Sequence, residues 1–349
     1  MKAPPSKPKA PIKTMADLAT LAGVSVSTVS RALSGHASIP QATRRKIEAL
    51  ASKHHYRVNT RAQNLRLQRS NTIAVVFPQA QGSRRLTSDP FYLQIMGGIS
   101  DELRVRGYDL LLSLSQEDDW QRYVLDKRAD GLLVLERDTN EQMIDALEQA
   151  AIPFVVWGPV LPEQTYVSVG GDSYSGAKTA VEYLLANGRK HIGFIGGDQT
   201  MIETHLRYRA YCDALKAAGR RLDAAKITFT DYTPERAKAA VSAMLKAAPK
   251  LDALFCCSDV MALAAFDPLR QAGRDIPEDV AVIGYDDIPL AAHCHPSLST
   301  VRQEVYEGGR VMVQTLLQLL HGDLQGDLRG EAVTSQMLPV QLILRDSCP

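Results

Sequence analysis

Asp286 and Asp287 stand side by side in YDD, and His293 and His295 follow one residue apart. Paired carboxylates can divide acid and base roles and spaced imidazoles can hold a metal, so these residues are the first to weigh for catalysis. Neither pattern is complete. Adjacent side chains diverge on extended backbone, no second acid stands at a facing spacing, and the histidines lack third and fourth ligands. Residues 23–27 read G-V-S-V-S, which is not the G-x-S-x-G of a nucleophile elbow. HIGFIGG (191–197) lacks the full G-x-G-x-x-G of a dinucleotide site. The five cysteines, Cys212, Cys256, Cys257, Cys294 and Cys348, contain no C-x-x-C pair and are odd in number, as expected of reduced thiols. These residues point away from an enzyme, and no metal or cofactor is expected.

The stretch AGVSVSTVSRALSG (22–35) offers different chemistry: small side chains, hydroxyls and one arginine. Thr14, followed by Met-Ala-Asp, reads as an N-cap, and Leu18, Ala19 and Ala22 give a short apolar face that stops at Gly23. Ser25 is the N-cap of a second helix running to Leu33, with Val29, Ala32 and Leu33 turned inward and Val26, Ser27, Ser30 and Arg31 outward. Two short helices joined at a glycine form a helix-turn-helix. A helix entering a DNA major groove about 12 Å wide cannot carry bulk on its approach face. Arg31 is suited to fork onto guanine, Val26 to a thymine methyl, and Ser27 and Ser30 to phosphates or either base class. Residues 39–54 predict a third helix on Ile47 and Leu50, beginning with Thr43, Arg44 and Arg45 at positions suited to phosphates.

Charge supports a polyanion partner for this region. Residues 1–70 hold 13 Lys and Arg against two acids, Asp17 and Glu48, or +11, whereas the whole chain is +1 and the remainder therefore −10. Residues 1–13 contain no apolar signal core, and no run of eighteen apolar residues occurs, so a cytoplasmic protein without membrane contact is expected.

At 349 residues the chain should hold more than one domain. From residue 71 it alternates apolar runs with amphipathic stretches: strands in TIAVVFP, YDLLLS, GLLVLE and PFVVWG with helices at 94–107 and 141–150. A second series follows in HIGFIGG, ITFT, LDALFCCSD and VAVIGYDD with helices at 176–187, 206–218, 234–248 and 261–272. This is βαβ architecture with parallel sheets covered on both faces, and two series imply two doubly wound lobes. A small ligand would sit between them, at the carboxyl ends of the strands. An indole at Trp157 can stack on a pyranose there or pack the lobe core, and Phe91 and Tyr92 can close the cleft or pack the core.

TMADLATLAGVSVSTVSRALSG and ATRRKIEALASKHHYRVNTRAQNLR together resemble the DNA-binding head of the LacI/GalR family of bacterial transcription regulators. DPFYLQIMGGISDELRVRGYDLLLS, HIGFIGG and CCSDVMALAAFDPLRQAGRDIPEDVAVIGYDDIPLAAHCHPSLSTVRQ extend the resemblance through that family's periplasmic-binding-protein-like core. It implies a basic tail over 1–13, a head over 14–58, a linker and hinge helix over 59–70, and a core over 71–349. The N-lobe would hold about 71–170 and 300–330 and the C-lobe about 171–299 and 331–349, with crossings near Gly170, Ser299 and Gly330. It implies a homodimeric repressor on a palindromic operator, with Asn59, Ala62 and Leu65 contacting DNA from the linker and Leu65 wedged into the minor groove. Val58 stands where the family usually has proline, and Pro40 where a capping hydroxyl is common. The resemblance places Arg207, in RYRAY, and Asp286 on the effector, and Ser258 where sugar-binding members carry asparagine; Asp259 beside it would orient the loop. The implied effector is a mono- or disaccharide. A sugar-binding transport protein is the alternative for the core alone. No C-terminal heptad follows, and 342–349 reads as a short irregular tail.

Overall fold

Thr14 accepts a hydrogen bond from the Asp17 amide at 3.1 Å while the Asp17 carboxylate accepts one from the Thr14 amide at 3.0 Å. This reciprocal box starts α1 (Met15–Ala22), and Gly23, at φ 72, ends it in a left-handed turn that a side chain would oppose. Ser25 caps α2 (Val26–Leu33) through the Thr28 amide at 3.1 Å, and α3 (Gln41–Lys53) follows Pro40, which supplies no side-chain cap. Leu18, Ala22, Val29, Ala32 and Ile47 form the small buried core of the three helices. The computed structural model describes residues 14–34, 36, 38–54, 56, 69–77, 89–113, 120–135, 142–325 and 333–349. The chain forms two compact units, Met1–Ser70 and Asn71–Pro349.

The second unit is built on two six-stranded sheets. The first contains β1 (Thr72–Val76), β2 (Asp109–Ser113), β3 (Gly131–Leu135), β4 (Phe154–Trp157), β5 (Ser168–Gly171) and β11 (Gln336–Leu338), in the order β11-β5-β4-β3-β1-β2, all parallel. The second contains β6 (Ile192–Gly196), β7 (Ile227–Phe229), β8 (Ala253–Cys256), β9 (Ala281–Asp286), β10 (Ser299–Gln303) and β12 (Val340–Ile343), in the order β12-β10-β9-β8-β6-β7. The β10–β12 pairing is antiparallel, and the other strand pairings described in this sheet are parallel.

Alternation along the buried strands explains their unbroken apolar sequence. Ile73, Val75, Leu133, Leu135 and Val155 face α4 (Pro90–Arg106) and α11 (Val305–Gln325); Ala74, Val76, Leu132, Val134 and Val156 face α5 (Gln121–Leu125) and α6 (Gln142–Gln149). Helices α4 and α11 touch backbone to backbone: a Cβ added at Gly98 would lie 1.9 Å from the Tyr306 carbonyl oxygen. In the second lobe α7 (Ser173–Ala186) packs with α8 (Ile202–Ala217), and α9 (Pro234–Ala247) with α10 (Asp259–Gln271).

Several boundaries differ from the expectations. Helix α4 begins at Pro90 instead of 94, because Asp89 caps it through the Phe91 amide at 2.9 Å and Pro90 suits the first helical position. The chain crosses between sheets after Gly171, Gln303 and Leu338. The second and third crossings therefore lie beyond Ser299 and Gly330, since residues 300–303 complete β10 and residues 336–338 complete the first sheet. The expected irregular tail is instead part of the second sheet: β12 pairs with β10, and the Ser347 hydroxyl donates to the Val282 carbonyl at 2.7 Å. No helix among the described residues is long and apolar enough to cross a membrane.

Candidate functional site

In the first unit, α2 turns one face to solvent. Val26 is 46% exposed, Ser27 and Arg31 are exposed, Ser30 is half-buried, and Val29 and Ala32 on the opposite face are buried. Val26 and Ser30, and Ser27 and Arg31, stand four residues apart, and Ser27 and Ser30 three apart, spacings that make them neighbours on a helix. The hydroxyls of Ser25 and Thr14 are occupied locally as caps. Ser25 Oγ also lies 2.8 Å from Ser27 Oγ. Thr43 and Arg44 are half-buried near the start of α3. Arg44 Nη2 donates to the His36 carbonyl at 2.8 Å, so part of this side chain, expected at a phosphate, braces the turn between α2 and α3. Lys46 Nζ donates to the Ala22 carbonyl at 3.0 Å, a link that the sequence reading did not include. Asn59, Ala62 and Leu65 lie outside the described residues.

In the second unit, candidate residues gather at the carboxyl ends of strands in both lobes. In the first lobe Phe77 follows β1, Trp157 ends β4, and Phe91 and Tyr92 lie in the first turn of α4. Their rings form an edge-to-face chain: Phe77–Tyr92 at 5.5 Å between centroids, Phe91–Tyr92 at 5.1 Å and Phe91–Trp157 at 6.0 Å. Phe91 and Tyr92 are half-buried. Trp157 is only 5% exposed, and a Cβ at Gly308 of α11 would meet its ring at 2.3 Å. Of the two arrangements open to this indole, core packing is the one found.

In the second lobe Arg207 lies in α8 and is buried. Its Nη1 donates to the Cys257 carbonyl at 2.6 Å, its Nη2 lies 3.4 Å from Ser173 Oγ, and its guanidinium stacks 3.7 Å from the Tyr285 ring centroid. Its Nε is buried with no hydrogen-bond partner among the described residues. Burial opposes the charge, but Tyr285, Tyr232, Asp286 and Cys257 around the guanidinium hold its pKa above the ordinary arginine value. A buried cation with a spare donor is prepared to meet acceptors on a bound molecule.

Asp286 ends β9 at φ 114, and Asp287 follows at φ 57; such backbone is strained for residues with a side chain. Asp286 Oδ1 accepts a bond from Gln303 Nε2 at 2.8 Å. Burial raises its pKa well above the usual carboxylate range, opposed by Arg207 and reinforced by Asp259 and Asp89. Asp287 takes another path: its carboxylate receives Arg302 Nε and Arg345 Nη2, each at 2.7 Å, so the two neighbouring acids diverge as expected and do not form an acid-base pair. Ser258 is buried and caps α10 through the Met261 amide at 3.3 Å. The lobes approach at Gly158, where an added Cβ would lie 3.5 Å from Glu203 Oε1. Glu203 and His205 lie in the first turn of α8.

Three side chains at this site were missed from sequence. Tyr232, at φ 64, places its hydroxyl 2.8 Å from Thr204 Oγ1 and its ring so close to Gly197 that an added Cβ would lie 1.9 Å from Cζ. Asp89 reads locally as a helix cap, and Gln303 closes the stretch that resembles the family core without a role of its own in that resemblance. Their importance arises only when the two sheets converge.

Residues 14–59 match the family of bacterial regulatory proteins called the lacI family, and residues 181–348 match the periplasmic binding protein-like domain. The chain is 32% identical over 340 residues to the HTH-type transcriptional regulator CelR of Thermobifida fusca, covering 96% of this chain and 98% of that one. It is 32% identical over 339 residues to the HTH-type transcriptional repressor CytR of Escherichia coli (strain K12), covering 96% of each. The solved CelR–cellobiose complex matches with a TM-score of 0.72 at 31% identity, over 96% of this chain and 99% of that one. The lac repressor dimer bound to operator and the anti-inducer ONPF matches with a TM-score of 0.82 at 25% identity, over 96% of this chain and 98% of that one.

Proposed function

This chain belongs to the lacI family of bacterial regulatory proteins, and we propose that it is a sequence-specific transcriptional repressor whose operator affinity is set by a small molecule held between the two lobes. The exposed α2 face reads base edges, with Arg31 as the principal reader and Val26, Ser27 and Ser30 beside it. Thr14, Ser25, Thr43, Arg44 and the linker residues Asn59, Ala62 and Leu65 serve the backbone and minor groove. A homodimer presents two heads to a palindromic operator in the cytoplasm, and the chain carries out no enzymatic step.

The observation that carries the effector reading is Arg207: a buried guanidinium with an unused donor, close enough to Asp286 to influence its ionisation. A donor and an acceptor so placed suit a sugar's hydroxyls, which can receive from one and give to the other. A relative whose structure holds cellobiose supports a mono- or disaccharide. Phe91 and Tyr92 supply the aromatic wall from the first lobe, Ser258 lines the second, and Trp157 backs Phe91 from the core. Coupling is reciprocal: whatever factor the effector takes from operator affinity, operator takes from effector affinity.

The test selects binding sites from a pool of random duplexes with the full chain, then titrates the selected duplex with and without cellobiose, glucose, glucose 6-phosphate and adenine. A palindromic site whose affinity changes with a sugar supports the reading. No enrichment of any site overturns the repressor, and a response to adenine alone overturns the sugar.

A further inference from the structure

One more carboxyl is buried behind the effector site. Asp259 opens α10 with no exposed surface; its Oδ2 accepts the Ile288 amide at 2.8 Å and its Oδ1 the Thr300 hydroxyl at 2.5 Å. A Cβ added at Gly284 would lie 2.2 Å from that Oδ1, so the carboxyl rests on the β9 backbone where Gly284 pairs with Thr300. Asp286 is two residues further along β9, and Ile288 two beyond that. The acid therefore spans the turn in which Asp286 and Asp287 hold left-handed backbone, a conformation that persists only where the surroundings fix it.

We propose that Asp259 positions Asp286 for the effector and shares one proton with it, and that effector capture displaces this proton to solvent. The inference rests on the reading of Asp286 as an effector-contacting acid. Both direct donors to Asp259 are neutral groups. The charged and titratable groups around the two acids are Asp287 at the end of β9, Arg302 on β10 bound to Asp287, Arg345 beyond β12, Cys256 on β8 and Cys294 before β10 on the Asp259 side, and Arg207 on α8, Asp89 before α4, Tyr285 on β9 and Cys257 after β8 on the Asp286 side. Burial outweighs the Thr300 and Ile288 bonds and, with the charge of Asp287 and against that of Arg345, raises Asp259 to about 7. Asp259 in turn raises Asp286. Two buried acids that repel one another titrate as a pair, so favouring the charge on one disfavours it on the other. A sugar hydroxyl that donates to Asp286 stabilises its ionised form, and the proton leaves. Effector affinity then rises with pH by up to about tenfold per unit while the pair is titrating.

The test follows the infrared carbonyl stretch of protonated buried carboxyls against pH in the full, unliganded chain. Wild type should show such a carboxyl losing its proton around neutral pH. Asp259→Asn should leave the remaining acid titrating at lower pH, and Thr300→Val, which keeps the carboxyl and removes its hydroxyl donor, should move the titration upward. In calorimetry with cellobiose, affinity should rise with pH in wild type, and in Asp259→Asn the rise should start at lower pH. Unmoved titration of the second acid, or an equal affinity loss at every pH, would overturn the shared proton and leave Asp259 a structural group. An infrared shift without cellobiose binding would support the shared proton and count against the sugar.

Discussion

Replacing Arg207 with alanine separates effector recognition from folding and from DNA binding. In the free protein the substitution removes the 2.6 Å bond to the Cys257 carbonyl and the guanidinium resting 3.7 Å from the Tyr285 ring centroid. These are worth about 1.5–3 and about 2 kcal/mol. It also removes a buried charge that forms no salt bridge among the described residues, a burden of several kcal/mol that works the other way. The opposed terms are of similar size, so the unliganded melting temperature should move little. In the complex the balance is one-sided. One charge-assisted bond from the unused Nε to a sugar is worth about 1.5–3 kcal/mol, so effector affinity should fall by about 10- to 150-fold. Calorimetry with the tightest-binding sugar gives that number, and anisotropy on the selected duplex should show operator affinity unchanged without effector. An alanine variant that binds the sugar like wild type would remove Arg207 from the effector site, and one that loses operator binding as well would show that Arg207 supports the fold.

Arg31→Ala should cost about 1–3 kcal/mol on the selected operator and little on random DNA; equal losses on both would show that Arg31 serves the phosphates. Thr14→Ala removes one half of the capping box and should weaken α1 by about 1–2 kcal/mol, read as faster amide exchange over residues 15–22 in the full chain. Stability should also respond to pH in a defined direction. Asp259 is raised from 3.8 to about 7 in the folded chain, so between those values the native state holds more protons than the unfolded one. The stabilisation from its protonated form is complete below about pH 4 and disappears as pH rises through about 7. Denaturant melts should show this fall flattened in Asp259→Asn, and an unchanged slope would contradict the assignment.

Local chemistry made the head legible. Thr14, Ser25 and Gly23 announce where α1 and α2 start and stop, and Val29 and Ala32 occupy the buried face that their spacing implies. The βα alternation of the core was equally readable, because strands covered on both faces appear as short apolar runs. The misses have a common cause in long-range contact. Residues 342–349 read as irregular until β10 lies beside Leu342 and Ile343, and Trp157 has two environments open to it until Gly308 of α11 brings a bare backbone against its ring. The opposite polar wall was only half legible: Arg207 and Asp286 belong to motifs, but Tyr232 acquires its place from Gly197, 35 residues earlier in the chain. Arg44 was placed correctly on α3, yet the carbonyl that it braces, His36, comes from the turn before it.

Operator recognition and its control by sugar are both read from the affinity of the full chain for its selected duplex, measured at fixed salt against a scrambled duplex, with and without saturating sugar. Tight binding to the selected site alone is expected, with a change of about 5- to 150-fold when sugar is added and the same factor recovered when sugar affinity is measured on free and operator-bound protein. Equal affinity for both duplexes would contradict the DNA-reading role. Sequence-specific binding that no ligand alters would contradict the coupling of cleft to operator.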